Sequence, residues 1–211
     1  MGNEIGKSAS RLGVCAMAFT TTNIEKDELA TLMSRMIEIR SSTKQNNQDM
    51  TSAPLDINSL SRTQFDDSLK IISKFDASDL ELLQALFTMF DNSGEGLVNY
   101  KEYLSGVAGC LISGSAAEKL DFAFTLYTID SETPGQVTRG DGKKVLNSIC
   151  NVASYFGDPV VSPENIESVI LEVFKPITSP AADKQTIVNA IMNHNITEIF
   201  LSGKGSVRFG R

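Results

Sequence analysis

The 211-residue chain has one histidine, His194, and three cysteines, Cys15, Cys110 and Cys150. A single histidine excludes a zinc site built on two or more. Any Ser-His-Asp or Cys-His nucleophile would have to recruit His194. That residue sits in Met192-Asn193-His194-Asn195, a polar stretch near the end of a predicted helix, and reads as a surface or cap histidine. Three dispersed cysteines have no metal-site spacing and read as thiols in a reducing compartment. Basic residues are in deficit, with 19 Lys+Arg against 26 Asp+Glu and a net charge of -7. Nucleic-acid binding through phosphates is therefore not expected. No apolar run approaches the ~18 residues that suggest a membrane span. The first residues lack the pattern of a secretory leader, so a cytoplasmic location is expected. The 15 glycines form no GxGxxG or Walker loop. The absences point away from an enzyme.

What is present is helical periodicity. With 41% hydrophobic residues the chain can bury a core, in one domain or two joined lobes. Leu29, Leu32, Met33, Met36 and Ile37 make a helical stripe over 26–40. Residues 41–54 are polar and of low complexity, and read as a flexible insertion. Helices are predicted over 63–75 and from Ser78, where Glu81 would complete a capping box. The latter carries Leu80, Leu83, Leu86, Phe87 and Phe90 on one face. Further helices are predicted from Tyr100, over 116–129, over 141–152, and from Ser162-Pro163-Glu164 with Pro at the first helical position. Residues 175–180 break the pattern with two prolines, and a last helix is expected over 181–202. Asp91 and Asp130 each follow a helix and lie 39 residues apart, a spacing that suggests a repeated loop.

The segment Asp91–Glu102 reads DNSGEGLVNYKE. A calcium EF-hand loop draws ligands from positions 1, 3, 5, 7, 9 and 12, with Gly at 6 for the turn. Here these are Asp91, Ser93, Glu95, the carbonyl of Leu97, Asn99 (often through a water) and a bidentate Glu102, with Gly96 at 6. All donors are oxygens, as a hard dication prefers, and the final carboxylate comes from the exiting helix. Three carboxylates suggest a sensor-like affinity, roughly 10⁻⁷–10⁻⁵ M.

Three other hands read as degenerate. In Asp130–Asp141, the candidate ligands are Asp130, Glu132, the Gln136 carbonyl and Asp141, with Gly135 at 6. Pro134 at position 5 offers no side-chain oxygen, and Asp141 at 12 is one carbon short of Glu. This loop would hold calcium or magnesium weakly, or serve the fold alone. Upstream, Gln64 falls at position 12 and Ala53, Leu55 and Ile57 fall at 1, 3 and 5, which makes that hand metal-free. Residues 175–183 have too few carboxylates and read as a fourth hand reduced to two helices.

Met1-Gly2-Asn3-Glu4-Ile5-Gly6 suggests N-myristoylation of Gly2, with Gly6 in place of the usual Ser or Thr. One such chain gives marginal membrane binding. These features together resemble the calcineurin B family, regulatory subunits of a calcium-dependent phosphatase. The resemblance rests on Met1–Glu4, on Phe90-Asp91 through Glu102-Tyr103 with Gly106-Val107, and on Lys119-Leu120, Phe122-Ala123-Phe124, Tyr127 and Asp130. Neuronal calcium sensors and calaxin-like ciliary proteins share the central motifs. The calcineurin B pattern has four calcium loops; here one is intact, and the 41–54 insertion and basic tail are foreign to it.

The expectation is an all-α protein of paired EF-hands in two lobes. It comprises a tail at 1–25, an N-lobe at 26–110, a C-lobe at 111–203 and a basic tail at 204–211. The resemblance implies a non-enzymatic calcium-binding regulatory subunit or adaptor. A partner's amphipathic helix would fill an apolar groove lined by Phe87, Phe90, Leu104, Phe122 and Tyr127, although intralobe core is the plainer reading of most of them. The partner would be a phosphatase catalytic subunit, or a dynein or docking protein of the ciliary axoneme. A membrane-recruited sensor is the further reading if Gly2 is acylated. Calcium could act as a regulator, or mainly for stability beneath a constitutively held partner.

Overall fold

The computed structural model describes residues 24–46, 58–70, 77–91, 93–112, 114–129, 131–155 and 161–194. Within them the chain repeats one unit, helix, three-residue strand, helix. The first unit is α1 (Lys26–Asn46), β1 (Ser59–Ser61) and α2 (Arg62–Leu69). The second is α3 (Ala77–Phe90), β2 (Leu97–Asn99) and α4 (Tyr100–Leu111). The third is α5 (Ala116–Thr128), β3 (Gln136–Thr138) and α6 (Arg139–Tyr155). The fourth is α7 (Pro163–Phe174), β4 (Ala181–Asp183) and α8 (Lys184–Met192).

The strands pair the units two by two. β1 runs antiparallel to β2 with Leu60 opposite Val98, and β3 to β4 with Val137 opposite Ala182. Leu60, Val98 and Val137 are buried, so each sheet sits on the core below its two loops. Two further matches relate the pairs. Arg62 opens α2 with its guanidinium over the Phe87 ring at 5.1 Å, and Arg139 opens α6 over Phe174 at 6.0 Å.

The predicted stripes are the buried faces. Leu29, Leu32, Met33 and Met36 are buried on α1, and so are Ile166, Val169, Ile170, Val173 and Phe174 on α7. Caps explain most of the helix starts. Ser61 and Ser115 open α2 and α5 with capping boxes closed by Gln64 and Glu118. Ser162 caps α7 ahead of Pro163, as its sequence predicts.

Several expectations need correction. Residues 41–46 belong to α1 rather than to a flexible insertion. The Ser41 and Ser42 hydroxyls donate to the carbonyls of Ile37 and Glu38 at 2.8 and 2.9 Å, which satisfies polar side chains inside the helix. Residues 47–54 lie outside the described residues. Helix α3 starts at Ala77, so Ser78 lies within its first turn rather than ahead of it. Residues 181–183 form β4, because pairing with β3 outweighs continuation of the helix toward its N-terminus. The fourth unit thus keeps a strand between its two helices.

The hydrophobic core is continuous through both pairs of hands. Helix α4 packs most extensively against α5 and α6, elements of the following hand. Two glycines make the α4–α6 contact possible. A Cβ at Gly106 would lie 2.7 Å from the Ser148 carbonyl oxygen and 2.9 Å from Val152 Cγ2. A Cβ at Gly109 would lie 2.7 Å from Ile149 Cδ1. The Cys110 thiol donates to the Ile149 carbonyl at 3.4 Å, and Ser105 Oγ donates to the Ala123 carbonyl at 3.2 Å. Cys110 and Cys150 stand as thiols, and Cys15 lies outside the described residues.

Candidate metal centre

The second hand builds its loop from backbone outwards. Gly94 and Gly96 both take positive φ, +70° and +72°, conformations that other L-residues rarely adopt. This places the turn at loop position 6, where the motif requires it. Asp91 Oδ2 accepts the Gly96 N–H at 2.9 Å and Asp91 Oδ1 accepts the Ser93 hydroxyl at 3.4 Å. The first carboxylate is thus tied to the turn it would share with a cation. Ser93 Oγ accepts the Glu95 N–H at 3.3 Å, and Glu95 is exposed. Leu97 lies in β2 opposite Ser61.

Asn99 closes the loop and starts α4. Its side-chain oxygen accepts the N–H groups of Lys101 and Glu102 at 3.0 and 3.2 Å. Glu102 Oε1 lies 3.9 Å from Nζ of Lys144 on α6. Among the described residues, no three His, Cys, Asp or Glu side chains gather closely enough to hold a metal between them. The donor set nonetheless fits a hard dication. It is wholly oxygen, it carries three carboxylates, and it sits on a loop whose glycine turn is in place.

Position 12 carries glutamate in the second hand and other residues in the rest. In the first hand Gln64 at position 12 accepts the Ser61 N–H at 2.9 Å through Oε1 while Ser61 Oγ accepts the Gln64 N–H at 3.3 Å. In the third, Asp141 Oδ2 accepts both the N–H and the hydroxyl of Thr138, at 2.9 and 2.7 Å. In the fourth, the strand register places Lys175 at position 1, Ile177 at 3, Ser179 at 5 and Thr186 at 12. There Asp183 Oδ2 accepts the Thr186 N–H at 3.1 Å. The side chains at position 12 in the first and third hands serve as helix caps, and a lysine occupies the first position of the fourth loop.

The remaining residues of the third loop are mixed. Gly135 has φ +80°, so the turn at position 6 is formed there too. Glu132 is exposed, Gln136 lies in β3, and Asp130 lies outside the described residues, as does Gly2. His194 follows α8, and its Nε2 lies 2.9 Å from Glu172 Oε2 on α7, which ties together the helices of the fourth hand.

The residues expected to line a groove are mostly core. Phe87, Leu104 and Tyr127 are buried, and Phe90 and Phe122 are partly buried against the same core. Tyr103 packs edge-on against Phe65 and Phe90 and donates its hydroxyl to the Leu83 carbonyl at 2.9 Å. Burial raises its phenol well above the ordinary value, opposed by the Arg62 charge. Among the described residues the exposed large hydrophobic side chains are Ile129 and Leu171.

Sequence reading missed the glycine pair and Lys144. Two glycines three residues apart within an apolar helix are a sign of close backbone approach. The capping boxes at Ser61 and Ser115 were legible as Ser-x-x-Gln and Ser-x-x-Glu.

The fold agrees with the comparisons. The chain is 30% identical over 87 residues to calcium-binding protein NCSA of Dictyostelium discoideum, covering 41% of this chain and 45% of that protein. It is 34% identical over 65 residues to calcineurin B of Naegleria gruberi, covering 31% and 36%. It is 26% identical over 94 residues to the guanylyl cyclase inhibitory protein of Lithobates pipiens, covering 44% of each. The chain resembles EF-hand calcium-binding proteins, and its fold is the EF-hand fold. Each match spans less than half the length of the relative concerned. No family model matches the chain. No helix among the described residues is long and apolar enough to cross a membrane.

Proposed function

We propose that this chain is a non-enzymatic calcium-binding regulatory subunit or adaptor of calcineurin B type, with one calcium site in the second hand. Asp91, Ser93, Glu95, the Leu97 carbonyl, Asn99 and Glu102 would hold the ion. The observation that carries this reading is the second loop itself. Its turn at Gly96 is formed, Asp91 is fixed to that turn, and the Asn99 side chain caps α4. The first, third and fourth hands then serve the fold, with their strands and caps kept and their ligands replaced. Calorimetric titration tests this. The wild type should take up one calcium ion, and Glu102→Gln should lose it; unchanged uptake in the variant would remove the reading.

The partner reading follows from the resemblance. A phosphatase catalytic subunit or a similar protein would present an amphipathic helix. With Phe87, Leu104 and Tyr127 committed to the core, such a helix needs either an opened hand pair or apolar residues outside the described segments. The continuous core favours a constitutive scaffold in which calcium mainly adds stability. Affinity capture with and without calcium, read by mass spectrometry, distinguishes the two. A phosphatase subunit retained in both conditions supports the scaffold. Retention of a dynein-docking protein would move the assignment to the ciliary axoneme. Acylation of Gly2 belongs to the same proposal, and a Gly2→Ala variant should leave membranes if a lipid chain brings the protein there.

A further inference from the structure

We propose that Lys144 tunes the calcium affinity of the second hand from outside the loop, by competing with the ion for Glu102. This rests on the second hand being the calcium site. One face of α4 carries Glu102, Gly106 and Gly109, and the facing stretch of α6 carries Lys144, Ser148, Ile149 and Val152. The glycines bring the two helices into close contact, since the atoms nearest an added Cβ are the Ser148 carbonyl at Gly106 and the Ile149 side chain at Gly109. The Cys110 thiol bonded to the Ile149 carbonyl fixes the same contact further along. Lys144 is therefore anchored where its ammonium ends 3.9 Å from Glu102 Oε1. The adjacent Lys143 points elsewhere, paired with Glu167 on α7.

The competition follows from charge. A bidentate glutamate gives both oxygens to calcium and comes to lie beside a divalent ion. The Lys144 ammonium favours the metal-free arrangement, in which it lies near the carboxylate, and is repelled once the ion is bound. Both side chains are partly exposed, so the interaction is screened rather than dominant. Two unit charges at this separation in a water-like medium correspond to about a fivefold change in an equilibrium constant. The second hand of the first pair would thereby report its metal state to the exiting helix of the third hand, a path that the loop motif alone does not contain.

The test is calcium titration of the full chain by calorimetry at low and high salt, on Lys144→Met and Lys143→Met. Lys144→Met should bind calcium about three- to tenfold more tightly at low salt, and the gain should shrink at high salt. Lys143→Met removes the same charge one residue away and should change affinity less than twofold. A second readout uses no metal. In chelator, a Glu102→Gln and Lys144→Met double-mutant cycle on urea unfolding should show a positive coupling that salt abolishes. Equal tightening in both lysine variants would reduce the effect to net charge and overturn the proposal. An unchanged affinity in Lys144→Met, while the wild type binds one ion lost in Glu102→Gln, would overturn it and leave the calcium site standing. A wild type that binds no calcium would overturn both.

Discussion

Gly109 of α4 lies against Ile149 of α6 so closely that a single added methyl would meet the isoleucine side chain, at 2.7 Å from Cδ1. The two residues belong to different hand pairs, so this contact welds the halves of the molecule. Gly109→Ala should destabilise the chain by about 1–3 kcal/mol, the usual cost of overpacking, although alanine is the better helix former. Urea unfolding of Gly109→Ala, Ile149→Ala and the double variant checks the cause. The double variant should be more stable than the sum of the single changes predicts, because the small partner makes room for the methyl.

Tyr103 gives a prediction for alkaline solution. Its phenol is buried and held above the ordinary value, chiefly by desolvation. An acid whose folded pKa is raised keeps its proton in the folded state while the unfolded chain loses it. Stability is then fully present below about pH 10 and falls as pH rises beyond it. Tyr103→Phe should flatten that alkaline decline in thermal melts. At neutral pH it should cost about 1 kcal/mol through the lost bond to Leu83.

Glu118 acts at the other end of the scale. Hydrogen bonds from the Ser115 backbone and hydroxyl lower its pKa, with help from the Lys26 charge. A depressed folded pKa contributes stability above the unfolded carboxylate value, about 4.3, and that contribution is lost as pH falls through the folded value. Ser115→Ala should weaken the acid dependence of the melting temperature below pH 5. An identical acid profile in the variant would show that the Ser115 hydroxyl does not set it, since alanine keeps the backbone N–H.

Asp141 separates ligand from cap in the third hand. Its carboxylate is engaged by Thr138 at the start of α6. Asp141→Asn should lower stability by about 0.5–1 kcal/mol and leave the calcium stoichiometry at one. Loss of a second, weaker calorimetric step would instead make this residue a ligand.

Legibility from sequence varied with the range of the interaction. The stripes on α1 and α7 were plain because burial follows the 3.6-residue period of the element itself. The Asp91–Glu102 candidate could be read from sequence because the calcium-loop motif confines its ligand positions to twelve consecutive residues. The fourth hand was harder, because β4 exists through Val137, a partner 45 residues upstream of Ala182. For Phe87, Leu104 and Tyr127 the plainer reading, intralobe core, is the one the structure shows, since periodicity shows that a face is apolar and not what covers it.

By itself the sequence determined the repeated helix-loop-helix units and the single loop with a full oxygen donor set, both local properties of backbone and composition. Tertiary structure alone decided that Gly106 and Gly109 join the hand pairs. It also placed Lys144 beside Glu102. Those outcomes depend on which elements meet, and that is not written in the spacing of residues along one helix.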